Sequence, residues 1–199
     1  LYTLDQDSTF NLDGVIVDTD PNFNTLKYPV MVAATDRNTY YASGFAYTLE
    51  FMNFERIYAG NQNDVITIVE SVQHYIIRAG AGNDTLIMKN GSQIGGALIA
   101  GQIPFFDGQG GEDTLDFSDF TVAVTVDLVQ GIATSINEGY LNSVVNVENV
   151  IGGSGTDTMI GDQGNNVITV GSGNDTVSGQ GGNDTYVFSD NVGEILVDE

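Results

Sequence analysis

Apolar and polar positions recur with a period of nine residues in the C-terminal part of the chain. Four units of nine residues follow one another without a gap from Gly152 to Val187. In each unit, six residues rich in glycine and polar side chains precede a short β-favouring segment with one large apolar side chain at position eight. This pattern predicts a six-residue turn followed by a three-residue strand whose central side chain faces inward. The position-eight residues are Met159, Ile168, Val177 and Tyr186.

Position six of these units carries an oxygen-bearing side chain: Asp157, Asn166, Asp175 and Asp184. If two units make one coil, residues 18 apart stack, so Asp157 lies beside Asp175. Stacked parallel strands lie about 4.8 Å apart, and calcium–oxygen bonds are about 2.3–2.6 Å long. An ion held between two stacked turns can therefore reach oxygens from both. A single Gly-Asn-Asp-Thr segment would fit a hairpin turn equally well, but its regular repetition favours the coil.

A second, degenerate copy lies upstream. Residues 53–66 align without gaps on residues 146–159, and 79–87 and 108–116 form further units. Asp64 and Asp84 are 20 residues apart and Asp84 and Asp113 are 29 apart, which leaves open whether the Asp113 turn stacks on the Asp84 turn. We expect residues 88–106 to form an insertion that bulges outward. The predicted organisation is a strand-rich N-terminal cap (1–50), a first roll segment (51–116), a β connector (117–143) and a second roll segment (144–199).

Composition narrows the function further. The chain has 27 acidic and 5 basic residues, a net charge of −22 and no cysteine. Such a surface repels nucleic acid and anionic lipid but attracts hard, oxygen-loving cations. Thiol chemistry and disulfides are excluded. No apolar run approaches the roughly 20 residues that span a bilayer, so we expect neither nucleic-acid binding nor membrane insertion.

Catalytic signals are weak. His74 is the only histidine, it lies in an apolar stretch, and no nucleophile elbow or zinc-protease motif accompanies it. Paired carboxylates are so frequent that acid–base chemistry is not excluded by counting alone. We expect no enzymatic activity in this chain, although an attached catalytic domain outside it is compatible with the sequence.

The nonapeptides resemble the repeat-in-toxin (RTX, hemolysin-type calcium-binding repeat) family. That resemblance implies an all-β, right-handed parallel β-roll, export by type I secretion, and folding on binding several Ca²⁺ ions. It also implies that carbonyls at positions one and three of one turn, carbonyls at positions two and four of the next, and both position-six side chains hold the metal. Because Asn166 carries no charge, its site is expected to be weaker. The implied ligand groups are Gly152, Ser154 and Asp157 with Gly171, Gly173 and Asp175; Gly161, Gln163 and Asn166 with Gln180, Gly182 and Asp184; Ala59, Asn61 and Asp64 with Gly80, Gly82 and Asp84; Glu148 with Gly153, Gly155 and Asp157; Glu55 with Gly60, Gln62 and Asp64; and Gly111 with Asp113.

Three functions fit these observations. The leading hypothesis is a calcium-binding structural module of a large secreted or cell-surface bacterial protein of the adhesin or surface-layer type, joined to neighbouring domains. The second is a calcium-dependent domain of an adhesin that binds a peptide or carbohydrate. The third is the C-terminal secretion and folding portion of an exported hydrolase or toxin.

Overall fold

The computed structural model describes residues 10–12, 15–18, 29–34, 48–52, 56–58, 63–69, 72–73, 76–95, 104–136, 141–189 and 192–198. Within these ranges the protein is all β, without a helix and so without one long and apolar enough to cross a membrane. In chain order the strands are β1 (Phe10–Leu12), β2 (Val15–Asp18), β3 (Pro29–Ala34), β4 (Thr48–Met52), β5 (Arg56–Tyr58), β6 (Asp64–Ile68), β7 (Val72–Gln73), β8 (Ile76–Ala81), β9 (Thr85–Met88), β10 (Ile94–Gly95), β11 (Phe106–Gly110), β12 (Thr114–Asp116), β13 (Thr125–Asp127), β14 (Ile132–Ala133), β15 (Val144–Val145), β16 (Asn149–Ile151), β17 (Thr158–Ile160), β18 (Val167–Val170), β19 (Gly173–Ser178), β20 (Thr185–Phe188) and β21 (Val192–Val197).

Three main sheets organise these strands. An eight-stranded sheet has the order β20-β18-β16-β12-β9-β6-β3-β4, a six-stranded sheet the order β1-β2-β5-β8-β11-β15, and a five-stranded sheet the order β14-β13-β17-β19-β21. From β15 onward, successive strands alternate between the eight-stranded sheet and another sheet, returning to the eight-stranded sheet at β16, β18 and β20. Strands two apart in sequence, such as β17 and β19, are therefore neighbours in parallel pairs, as a coil of two half-turns requires.

The register confirms the predicted 18-residue coil. Thr158 pairs with Thr176 in the five-stranded sheet, and Val167 pairs with Thr185 in the eight-stranded sheet. The inward-facing side chains of all three sheets share one apolar core. As predicted, Met159, Ile168 and Val177 are fully buried in it, and Tyr186 packs against it while partly exposed. Burial of the position-eight side chains thus sets the register, since a one-residue slip would expose them.

The two roll segments form one continuous sheet. Strand β12 pairs in parallel with β9 on one side and β16 on the other, although Thr114 and its partner Asn149 are far apart in sequence. The Asp113 turn therefore does stack on the Asp84 turn, which resolves the question left open by their spacing. Antiparallel strands extend the sheets at the N-terminal side, with β3 pairing with β6 and β2 with β5.

The expectation that residues 88–106 bulge outward is wrong for the described part of this segment. Ile94 is fully buried, pairs with Val72, and donates its amide to the carbonyl of Ser135. Phe105 and Phe106 are also buried. Large apolar side chains at both ends draw the segment into the core, because leaving them in water would cost about 1.5–3 kcal/mol each. Residues 96–103 lie outside the described ranges.

Candidate metal centre

Carboxylates at position six link each turn to the one before it. Each accepts a hydrogen bond from the backbone amide of the position-six residue in the preceding stacked turn. In what we call the long ladder, Asp84 accepts from Asp64 (2.7 Å), Asp113 from Asp84 (2.8 Å), Glu148 from Asp113 (2.8 Å) and Asp184 from Asn166 (2.8 Å). In the short ladder, Asp157 accepts from Val124 (2.9 Å) and Asp175 from Asp157 (2.7 Å).

Asparagines at position five bond in the opposite direction. The side-chain oxygen of Asn165 accepts from the amide of Asn183 in the following turn (2.8 Å), and that of Asn63 accepts from the amide of Asn83 (2.9 Å). Asn174 accepts likewise from Glu194 (3.0 Å). Stacked turns are therefore clamped by bonds in both directions. Sequence reasoning missed these residues, although the recurring Asn-Asp pair, as at 174–175 and 183–184, was a usable signal.

Glycines allow the stacked turns to approach closely. A Cβ atom on Gly171 would overlap the carbonyl oxygen of Gly153, and one on Gly173 would overlap the carbonyl oxygen of Gly155. Gly173 also has a φ of +123°, a conformation that side chains disfavour. The carbonyl oxygens of Gly153 and Gly155, at positions two and four, thus lie directly against the next turn. For an ion shared with that next turn, the ligand carbonyls predicted for this turn are instead those of Gly152 and Ser154, at positions one and three.

Two of the position-six carboxylates are buried with one oxygen unpaired. Asp84 and Asp175 are 1% and 2% exposed, and the Oδ2 atom of each has no hydrogen-bond partner. An unpaired buried carboxylate oxygen is costly, and a bound cation would remove that cost. Among the side chains that the structure describes, no three acidic, histidine or cysteine residues cluster around one point. Backbone carbonyls would therefore have to complete the coordination shell, and an all-oxygen shell of this kind suits Ca²⁺.

Burial also shifts the protonation of these groups. Loss of hydration raises the pKa of Asp84 to about 7, against the opposing hydrogen bond from Asp64, and raises the pKa of Asp113 to about 6. Burial likewise raises the pKa of Glu148 and of Asp157. Each site therefore penalises the negative charge that it must carry, and a divalent cation would relieve this penalty.

This gives a pH prediction for the metal-free chain. Because the folded-state pKa values of Asp84 and Asp113 lie above 3.8, the folded state binds more protons than the unfolded state between about pH 4 and pH 7. The free energy of unfolding must therefore fall as the pH rises through that window. Far-ultraviolet circular dichroism after removal of divalent ions should therefore show a larger folded fraction at pH 5 than at pH 8.

The matched controls for this prediction are Asp84→Asn and Asp198→Asn. The first removes a buried titrating group and should reduce the pH dependence. The second removes an exposed carboxylate and should leave the pH dependence in place. Greater stability of the metal-free wild type at pH 8 would contradict the assignment.

The structure brings three of the predicted position-six pairs together. Asp157 lies beside Asp175, Asn166 beside Asp184, and Asp64 beside Asp84. Gly111 lies against Gly82, one turn further along the stack. His74 lies outside the described residues. So do five of the upstream ligand candidates: Glu55, Ala59, Gly60, Asn61 and Gln62.

One predicted grouping is wrong. Glu148 was expected to act with Gly153, Gly155 and Asp157, but its carboxylate accepts from the amide of Asp113, and its charged neighbours are Asp162 and Glu112. The reason is topological. Glu148 precedes β16 of the eight-stranded sheet, whereas Asp157 precedes β17 of the five-stranded sheet. Consecutive turns therefore belong to different stacks, and Glu148 belongs to the long ladder.

The connector forms one half-coil of the roll although its sequence lacks the nonapeptide motif. The amide of Ser154 bonds the carbonyl of Phe120 (2.8 Å), as that of Ser172 bonds Gly153 (2.9 Å). Val124 occupies position six of this concealed turn, and Val126 its buried position eight. Strand β13 (Thr125–Asp127) lies within the predicted β connector. With valine in place of aspartate, residues 119–124 stack on the 152–157 turn but place no carboxylate at position six.

Comparison with known families agrees with this geometry. The RTX calcium-binding nonapeptide repeat matches in four copies, over residues 76–87 and 151–186. The chain therefore carries RTX calcium-binding repeats. The matched residues contain Asp84, Asp157, Asn166, Asp175 and Asp184 of the two ladders, whereas the turns of Asp64, Asp113 and Glu148 lie outside the match. A search of curated proteins finds no match to the chain.

Proposed function

We propose that this chain is a calcium-binding structural module of a large secreted or cell-surface bacterial protein, of the adhesin or surface-layer type. Its coils form a right-handed parallel β-roll, and the N-terminal strands cap the first coil. The observation that carries the proposal is the pair of buried carboxylates with an unpaired oxygen, Asp84 and Asp175, one in each of the two stacks of glycine-containing turns. We propose no catalytic role for the described residues.

Calcium would supply the positive charge that the stacked turns lack. Asp157 and Asp175, with backbone carbonyls of their turns, would hold one ion, and Asn166 and Asp184 another. Upstream, the pairs Asp64–Asp84 and Asp84–Asp113 would hold further ions. Because a charge of −22 opposes compaction, ion binding and folding are coupled: each ion stabilises the folded state by its binding free energy.

This coupling suits a protein exported unfolded through a type I secretion system. A low calcium concentration inside the cell would keep the chain unfolded for export, and extracellular calcium would fold it outside. The ions would then stiffen the module between its neighbouring domains.

The proposal predicts that calcium folds the chain. Far-ultraviolet circular dichroism should show a largely disordered chain in chelator at neutral pH and β-structure in millimolar calcium. Magnesium at the same concentration is the control. It screens charge equally but prefers a small octahedral shell that retains water, and should restore little structure. A chain equally folded in chelator and in calcium would contradict the proposal.

A further inference from the structure

Asn166 is the one position-six residue of the long ladder that lacks a carboxylate. It is 1% exposed. Its Oδ1 accepts from the amide of Asp162, four residues earlier (2.8 Å). Asp157 makes the same bond with the amide of Gly153 (2.9 Å). This bond fixes the orientation of the Asn166 side chain, because only the oxygen can accept from an amide.

The Nδ2 atom of Asn166 consequently faces the preceding turn of the stack. It donates to the backbone carbonyl of Glu148 (2.9 Å) and lies 3.3 Å from Oδ1 of Asp162. Elsewhere in the ladders the side chain accepts from an amide of the preceding turn, whereas here it donates to a carbonyl. The direction of the hydrogen bond between stacked turns is therefore reversed at Asn166.

This reversal changes what the space between the Glu148 turn and the 161–166 turn can hold. A carboxylate at position 166 in the orientation that Asn166 adopts would place an oxygen against the Glu148 carbonyl, and two acceptors facing each other would need a cation between them. The side-chain amide of Asn166 instead directs its own hydrogens at the acceptors. It satisfies the carbonyl without metal and without adding negative charge.

We propose that Asn166 closes the gap between the Glu148 turn and the 161–166 turn as a metal-free latch. The latch separates an upstream group of ions, held between Asp64 and Glu148, from the downstream ion held with Asp184. It joins the degenerate and regular roll segments at calcium concentrations too low to load the other gaps. This inference rests on the proposed calcium binding and adds a specific position where no ion binds.

The test is Asn166→Asp, with calcium counted by native mass spectrometry and isothermal titration. The variant should bind one more ion per chain than wild type, and should need a higher calcium concentration than wild type to begin folding. Asn142→Asp, in an exposed turn, adds the same charge away from the ladders and should leave the ion count unchanged. An equal or lower ion count in Asn166→Asp, or failure of that variant to fold in saturating calcium, would overturn the latch.

Nuclear magnetic resonance provides a readout on the unaltered protein. In calcium-saturated wild type, the side-chain NH₂ signal of Asn166, assigned by its absence in Asn166→Asp, should exchange slowly with solvent. Rapid exchange would mean that the hydrogen bond to Glu148 is absent and would overturn the inference. If no variant binds calcium at all, the proposed function fails first, and the two failures are thereby distinguished.

Discussion

Replacement of Gly173 by alanine is expected to separate the last two turns of the short ladder and to destabilise the calcium-loaded fold by roughly 2–6 kcal/mol. Two costs combine. The φ of +123° is unfavourable for alanine, at about 1–3 kcal/mol. The added methyl group would also overlap the Gly155 carbonyl oxygen, and such overpacking costs about 1–3 kcal/mol. Because the overlapping atom belongs to the backbone, no side-chain rotation relieves it.

Urea unfolding in saturating calcium measures this effect. The matched control is Gly95→Ala, because a Cβ atom there would meet nothing within 4 Å. Its stability should stay within about 1 kcal/mol of wild type. Equal effects of the two substitutions would show that the turns do not pack as closely as described.

The second large effect is expected at Asp175. Asp175→Asn preserves the shape of the side chain but removes the charge whose Oδ2 is buried and unpaired. Calcium affinity depends on the number of charged ligands. The calcium concentration at which half of the molecules are folded should therefore rise by roughly tenfold or more.

The control for this substitution is Asp198→Asn. It makes the same change of charge at an exposed position of the last described segment, and the folding midpoint in calcium should stay near that of wild type. If Asp175→Asn bound calcium as tightly as wild type, the carboxylate would not be a ligand, and the short ladder would be held by hydrogen bonds alone.

The regular repeats could be predicted from sequence because their register is local. Met159 and Val177 lie 18 residues apart, and each is the large apolar side chain at the centre of its strand. Only one register of the two strands buries both side chains. The same spacing placed Asp157 beside Asp175. Where each unit carries its own turn and its own apolar anchor, the coil follows from the sequence.

The placement of the irregular parts depends on long-range contacts, which the spacing of the repeats does not reveal. Val124 takes the position-six place of a turn that lacks the glycines of the repeat, because backbone carbonyls of the connector accept hydrogen bonds from amides of the 152–157 turn and of the strand after it. Glu148 was assigned to the wrong stack, because its place follows from which sheet the next strand enters. Ile94 was expected in an outward loop, but its burial depends on partners distant in sequence.

The most direct test of calcium binding between stacked turns is anomalous X-ray diffraction from crystals grown in calcium, recorded at a long wavelength. The account predicts calcium peaks between Asp157 and Asp175, between Asn166 and Asp184, and along the upstream part of the long ladder. It predicts no peak between Glu148 and Asn166. Intact stacked turns without calcium peaks between them would contradict the account.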